Sequence, residues 1–163
     1  MTIQTLKDED FLPVAKGLIH FAAKSIYIST FKAEINAKPR GRKLADFFNV
    51  LAEKAASGVD VRFLISPRED GKHIPPSNVK AIHFLSKTKI KVKRLHSQRL
   101  CHAKILIVDR GLAIVGSHNL SVKACHSNFE LSVFINDYPY CNNLAVLYDR
   151  IWDGSPNIIY KSK

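Results

Sequence analysis

Cysteine, tryptophan and long apolar stretches are scarce in this sequence. Its three cysteines, Cys101, Cys125 and Cys141, are far apart and form no Cys-x-x-Cys pair, so we expect neither a disulfide framework nor a cysteine-based zinc site. A reducing compartment, and therefore a cytoplasmic location, is the simplest expectation. Residues 1–8 lack the basic and then apolar order of an export signal, but a leader removed upstream stays open.

The sequence predicts neither a membrane-spanning segment nor an internal repeat. No apolar run approaches the length that crosses a bilayer, and the single Trp offers little for anchoring at a membrane interface. Of the seven His, only His102 is followed two positions later by Lys. No linker or low-complexity segment divides the 163 residues, which predicts one domain over 1–163.

Positive charge, by contrast, is abundant. The chain has 25 Lys and Arg against 14 Asp and Glu, a formal net charge of +11. A surplus of this size favours a polyanionic partner, either nucleic acid or an anionic membrane surface, although it says nothing about the fold.

Hydrophobic periodicity predicts alternating helices and strands. Apolar residues recur at helical spacing from Phe11 to Ala22, and a second such stretch, 44–55, lies between two strands. This strand–helix–strand order predicts parallel pairing through a right-handed crossover. The predicted strands are 25–30, 59–65, 105–108, 112–115 and 129–136, and two further helices are expected over 79–85 and 144–151.

Residues 105–115 predict a buried β-hairpin. Ile105–Val108 is an unbroken apolar run, and Asp109-Arg110-Gly111 has the composition of a turn, in which Gly111 is able to take a positive φ. A two-residue loop would place His102 opposite Asn119 and Lys104 opposite Ser117. A three-residue loop would shift this pairing by one position, and the sequence leaves both open.

Four polar residues lie at the open end of this hairpin. His102 and Lys104 are two apart, and so are Ser117 and Asn119, so each pair leaves one face of its strand. Burying an ammonium and an imidazole beside so much apolar chain is costly unless an anion occupies the site. The pattern therefore predicts an anion-binding site at this end.

The spacing His102-x-Lys104-x4-Asp109-x6-Gly116-Ser117-x-Asn119 resembles in full the HKD motif of the phospholipase D superfamily. Residues 22–28 and 58–64 also look like the first two strands of one family repeat. The resemblance covers most of the chain and is nearest to the short, single-motif nuclease branch. It implies an α/β fold, with a mixed, largely buried β-sheet flanked by helices, and chemistry that needs no metal or other cofactor.

The resemblance also suggests how a phosphodiester would be cleaved. His102 fits the nucleophile that forms a covalent phosphohistidine, and Glu130 stands where single-motif nucleases place a carboxylate beside this imidazole. Lys104 would supply positive charge to the phosphoryl oxygens, with Ser117 and Asn119 as donors. Asp109 belongs to the motif's catalytic set, but it adjoins the turn, so we expect it to shape the turn and transfer no proton. Surface placement is the alternative for Glu130.

A single motif leaves the leaving group without an acid. A homodimer that brings two motifs together across a two-fold axis would let each His102 act as nucleophile while its partner acts as acid. His118 or His126 could replace the partner in a monomer.

A basic stretch precedes the motif. If 87–93 is a strand, its four lysines share one face, where they would either protect a sheet edge or follow a phosphate backbone. We predict substrate binding by Lys89, Lys91, Lys93 and Arg94.

The leading hypothesis is therefore a metal-independent endonuclease acting on DNA or RNA. The alternatives are a phospholipid hydrolase or phosphatidyl transferase using the same site, and an inactive nucleic-acid-binding relative.

Overall fold

Seven β-strands form one mixed sheet in the computed structural model, which describes residues 1–35, 39–67, 74–95 and 102–158. The sheet order is β1-β7-β6-β5-β2-β3-β4. The strands are β1 (Thr2–Lys7), β2 (Ser25–Thr30), β3 (Asp60–Ile65), β4 (Lys91–Arg94), β5 (Lys104–Val108), β6 (Leu112–Gly116) and β7 (Leu131–Asn136). The helices are α1 (Phe11–Phe21), α2 (Arg42–Ala56), α3 (Pro76–Leu85), α4 (Val122–His126) and α5 (Tyr138–Asp153).

The centre of the sheet is covered on both sides. All six residues of β2 are buried, and β2 pairs in parallel with β3 and antiparallel with β5. This confirms the parallel crossover predicted from the order of strands and helix. The strand directions bring the end of β2 beside the start of β5, where the four polar residues were expected.

Two apolar layers enclose the sheet. One contains Phe47 and Phe48 of α2 and receives Leu106 and Val108 from β5. The other lies under α5 and receives Ile107 from the opposite face of β5. Because side chains alternate along a strand, Lys104 leaves β5 on the same face as Leu106, toward α1 and α2.

The hairpin register follows the three-residue loop. Val108 pairs with Leu112 and Lys104 pairs with Gly116. The expectation about the turn was wrong in its detail, because Asp109 (φ 49°) and Arg110 (φ 58°) take the left-handed conformation and Gly111 does not. Asp tolerates this region because its short side chain bonds nearby backbone groups.

The edge strands differ from the sequence-based prediction. β1 was not predicted, although it pairs along its whole length with β7. The basic strand is shorter than expected, because only Lys91–Arg94 joins the sheet, against β3. Lys87 and Lys89 precede it, so four lysines do not share a strand face. A short helix, α4, follows the motif over Val122–His126.

Candidate active site

His102 and Lys104 lie at the open end of the hairpin in different environments. The His102 side chain is exposed, whereas Lys104 is only 5% exposed and borders an apolar cavity lined by Phe11, Phe47 and Leu120. The Lys104 ammonium bends back to donate to the carbonyl oxygen of His102. A buried lysine beside an exposed imidazole is suited to holding an anion that arrives from solvent.

Phe31, which directly follows β2, contacts both of these side chains. Its ring centroid is 5.2 Å from that of His102, with the rings inclined by 49°. The Lys104 Nζ lies 5.8 Å from the same ring centroid, within the range of a cation–π contact. The Phe31 ring therefore packs against both the His102 imidazole and the Lys104 ammonium.

Glu130 is buried and lies beside Ser117. Its carboxylate accepts hydrogen bonds from the Ser117 hydroxyl and from Asn128 Nδ2, the latter at 2.9 Å. The backbone N–H of Glu130 donates to the Asp8 carboxylate at 2.8 Å. The His102 ring makes no hydrogen bond within the described residues, so its predicted pairing with Glu130 stays a prediction.

Asn119 is tied to the segment that carries Phe31. Its Oδ1 accepts the backbone N–H of Lys32 at 3.0 Å. Because the oxygen is committed to this bond, the amino group is the part of the Asn119 side chain that could act as a donor at the site.

Asp109 lies at the far end of the hairpin and bonds to the start of β2. Its carboxylate accepts the backbone N–H groups of Ala23, Lys24 and Ser25 at 2.7–2.8 Å. Partial burial acts to raise its pKa, but these donors outweigh burial and hold the pKa below its ordinary value. The geometry supports the turn-shaping role expected for Asp109.

His118 and His126, the alternatives to a partner's imidazole, already make hydrogen bonds within the chain. His118 is buried and stacks on Phe11 at a centroid separation of 4.6 Å. Its Nε2 donates to the Asp8 carbonyl at 3.0 Å, and its Nδ1 accepts from the Ser132 hydroxyl at 2.7 Å. Burial lowers the pKa of His118, which favours the neutral ring. His126 Nε2 bonds the carbonyl oxygen of Arg40 at 2.8 Å.

The predicted basic row divides between the two faces of the sheet. Lys91 pairs with Asp60 at 2.7 Å, and Lys93 donates to the Trp152 carbonyl at 2.9 Å. Arg94 leaves β4 on the other face and pairs with Ile65, level with Thr30. Continuing the Ser29–Ile105 pairing by one residue brings Thr30 level with Lys104, so Arg94 and Lys104 lie in one row, about 14 Å apart across three strand spacings. Lys89 is exposed before the strand.

The described cysteines have little thiolate character. Cys125 and Cys141 are free and buried, and burial raises the pKa of both thiols, that of Cys125 to about 11. Cys101 lies outside the described residues.

Sequence reasoning missed two residues of this site. Phe31 gave no signal beyond its place after a predicted strand. Asn78 was detectable, because it is a polar residue in the apolar stripe that continues at Ile82 and Leu85. In the structure Asn78 is fully buried, and its side chain bonds the backbone of Phe31 and Ala33.

The family model described as "Cardiolipin synthase, PLD-like domain" matches residues 16–152. A cardiolipin synthase of Alkalihalophilus pseudofirmus is 30% identical over 137 residues, which cover 84% of this chain and 25% of that protein. The chain spans about a quarter of the length of the curated relatives it matches.

Solved structures share the fold. Nuc from Salmonella typhimurium, a phospholipase D family member, superposes with a TM-score of 0.80 and 20% identity over 99% of both chains. NucT from Helicobacter pylori superposes with a TM-score of 0.77 and 17% identity, covering 96% of this chain and 100% of that one. The predicted fold class, a mixed sheet flanked by helices, is confirmed.

Proposed function

This chain belongs to the phospholipase D superfamily, and we propose that it is a metal-independent phosphodiesterase that acts on nucleic acid as an endonuclease. The observation that carries the proposal is an exposed imidazole beside a buried ammonium, His102 and Lys104, in a chain of net charge +11. A nucleic acid, which carries one phosphodiester per nucleotide, suits both the site and the positive charge around it.

His102 is the proposed nucleophile. Its ring nitrogen attacks phosphorus, the P–N bond forms as the bond to the leaving oxygen breaks, and a phosphohistidine results. The Lys104 ammonium and the Asn119 amino group neutralise the phosphoryl oxygens as charge develops. Water then attacks the phosphohistidine and gives its proton to the imidazole of the second copy, which had protonated the leaving oxygen, and the P–N bond breaks to release the His102 imidazole. In this scheme Glu130 orients the site through Ser117 and, as the resemblance implies, through His102.

The acid for the leaving group comes from a second copy of the chain. His118 and His126 are both committed to other partners, so neither is a ready substitute. One stripe of α5 is half-exposed and apolar, and its Leu144, Leu147 and Ile151 line a groove that also includes Ala103, the neighbour of His102. We place the second copy on this α5 stripe, related by a two-fold axis, so that the two chains meet beside residue 103 and next to the site.

Arg94 extends the proposed nucleic-acid contact beyond the reacting phosphate. Arg94 lies on the same sheet face and in the same row as Lys104. A nucleic-acid strand that crosses the ends of β2 and β3 could therefore contact both side chains. Lys91 and Lys93 leave β4 on the opposite face, where they bond Asp60 and the Trp152 carbonyl, so they lie away from this row. Lys89 stays a surface contact of the same proposal.

A phospholipid substrate is the second candidate. It is favoured by the matching curated relatives, which are named cardiolipin synthase. Anionic lipid also carries a phosphodiester and would suit the positive charge. No helix among the described residues has the length and apolarity needed to cross a membrane.

One experiment separates these functions. The protein and a His102→Ala variant are incubated in EDTA with plasmid DNA, an RNA oligonucleotide and phosphatidylglycerol vesicles. We expect nucleic-acid cleavage by the wild type alone. Lipid turnover alone would instead establish the second candidate. Salt-sensitive DNA retention with no cleavage by either protein would identify an inactive binding relative.

The dimer is tested by a substitution in the α5 stripe, with the sedimentation mass and the cleavage activity as readouts. Leu147→Glu should produce a single-chain mass in sedimentation and abolish cleavage, because the second imidazole is lost. Phe21→Glu, which changes a residue that is 85% exposed at the end of α1, is the matched control and should alter neither. Full activity at the mass of one chain would refute the shared site.

A further inference from the structure

The short segment 31–33 links three parts of the site. Phe31 contacts His102 and Lys104 through its ring, as described above. The backbone N–H of Lys32 donates to Asn119, the last residue of the motif. Residues 31–33 therefore connect the residues before β5 with those after β6.

Asn78 of α3 holds this segment from the other side. Its Nδ2 donates to the Phe31 carbonyl and its Oδ1 accepts the Ala33 N–H, both at 3.0 Å. The Asn78 side chain is fully buried, where an unmet backbone group is costly. The amide supplies a donor and an acceptor on two separate atoms, whereas Asp lacks the donor and Leu lacks both.

Packing alone leaves these interactions unexplained. An apolar residue at position 78 would continue the buried stripe of α3 formed with Ala81, Ile82 and Leu85. The chain instead buries a polar side chain that bonds the segment carrying Phe31 through both its amino group and its oxygen, and the oxygen also accepts the hydroxyl of the neighbouring Ser77. The ring supported in this way faces an imidazole that has no ring hydrogen bond in the described part of the chain.

We propose that Phe31 and Asn78 are positioning residues of the active site, with Phe31 orienting the His102 imidazole and the Lys104 ammonium and Asn78 fixing Phe31. This inference rests on the proposed function, in which His102 is the nucleophile. A ring displaced by about 1 Å near a reacting group can lower turnover by orders of magnitude without weakening substrate binding.

The test compares turnover of bis(4-nitrophenyl) phosphate by Phe31→Leu, Phe31→Tyr and Asn78→Asp. We expect Phe31→Leu and Asn78→Asp to lower kcat by about tenfold or more with KM little changed, the mark of lost positioning. Phe31→Tyr, which keeps the ring, should recover most of the turnover. Phe21→Leu and Asn143→Asp, at exposed positions, are the matched controls and should match the wild type.

Proton NMR of the imidazole provides a readout that does not need activity. The His102 ring proton, assigned with His102→Gln, lies beside the Phe31 ring and should move when the ring current is removed in Phe31→Leu. It should also move in Asn78→Asp, whose thermal unfolding establishes that the variant is folded.

The two proposals fail in different ways. A wild type with no turnover of any phosphodiester would refute the proposed function and leave the NMR result to decide this inference. An active wild type, with Phe31→Leu and Asn78→Asp unchanged in kcat and in the His102 resonance, would overturn it. A shift in Phe31→Leu but not in folded Asn78→Asp would remove Asn78 from the assignment.

Discussion

The two ends of the β5–β6 hairpin use polar residues of one motif in opposite ways. At the turn, Asp109 gives its carboxylate to three backbone N–H groups, and Arg110 pairs with Asp149 at 2.7 Å. At the open end, the His102 imidazole is exposed and the Asn119 amino group is held by a bond to its oxygen. The turn satisfies its polar groups within the chain, whereas the open end leaves the His102 ring exposed, where we propose that an anion binds.

This contrast shows that membership of a motif does not define a role. Asp109 and His102 are seven positions apart, yet β5 places them at opposite ends of a five-residue strand. Asp109 therefore stabilises the join between the hairpin and β2. His102 is supported by neighbours that leave its ring accessible.

The largest expected effect is on catalysis at the open end. His102→Ala should reduce phosphodiester cleavage by about 10⁴-fold or more, because the nucleophile is lost. The free energy of unfolding should change by less than about 0.5 kcal/mol, because the side chain is exposed. Plasmid cleavage and urea unfolding measure the two quantities. Residual cleavage close to wild type would assign the nucleophile to another residue.

The turn should show the opposite response. Asp109→Ala should lower the free energy of unfolding by about 2–3 kcal/mol, since three charge-assisted hydrogen bonds are lost at a partly exposed site. Folded protein should keep most of its turnover number. Urea unfolding with active-site titration checks both, and Asp153→Asn, on an exposed carboxylate, serves as the control. A stable but inactive Asp109→Ala would give Asp109 a catalytic role.

The dependence of stability on pH sharpens the same comparison. The pKa of Asp109 is depressed in the folded state, so its contribution is present above its ordinary value of 3.8 and is lost as the pH falls through the folded value. The stability difference between wild type and Asp109→Asn should be constant near neutral pH and shrink below about pH 4. Urea midpoints between pH 3 and 7 measure it. A difference that persists at the lowest pH would mean that charge is not the cause.

A chelator should have the smallest effect. Excess EDTA should leave both cleavage and stability unchanged, because the proposed charge neutralisation comes from Lys104 and Asn119. The measurement compares cleavage without EDTA, with EDTA, and with EDTA followed by excess Mg²⁺. A strict need for a divalent ion would contradict the mechanism at the open end.

The basic row and Glu130 show where sequence reasoning stopped. A two-residue period correctly placed Lys91 and Lys93 on one face of β4, but their partners, Asp60 and the Trp152 carbonyl, come from other parts of the chain. Likewise the family resemblance placed Glu130 beside the His102 imidazole, whereas the bonds of Glu130 to Ser117 and Asn128 depend on how β7 lies against β6. Partner choice depends on strand order and register, which local patterns do not specify.

The sequence by itself determined the hairpin, the parallel crossover and the identity of the motif residues. These depend on apolar periodicity, turn composition and fixed spacing, all of which act over a few residues. Only the tertiary structure decided the three-residue register, the addition of β1 to the sheet edge and the link from Asn78 through Phe31 to His102. Each of these joins residues distant in the chain, and their hydrogen bonds and packing exist only once the sheet has assembled.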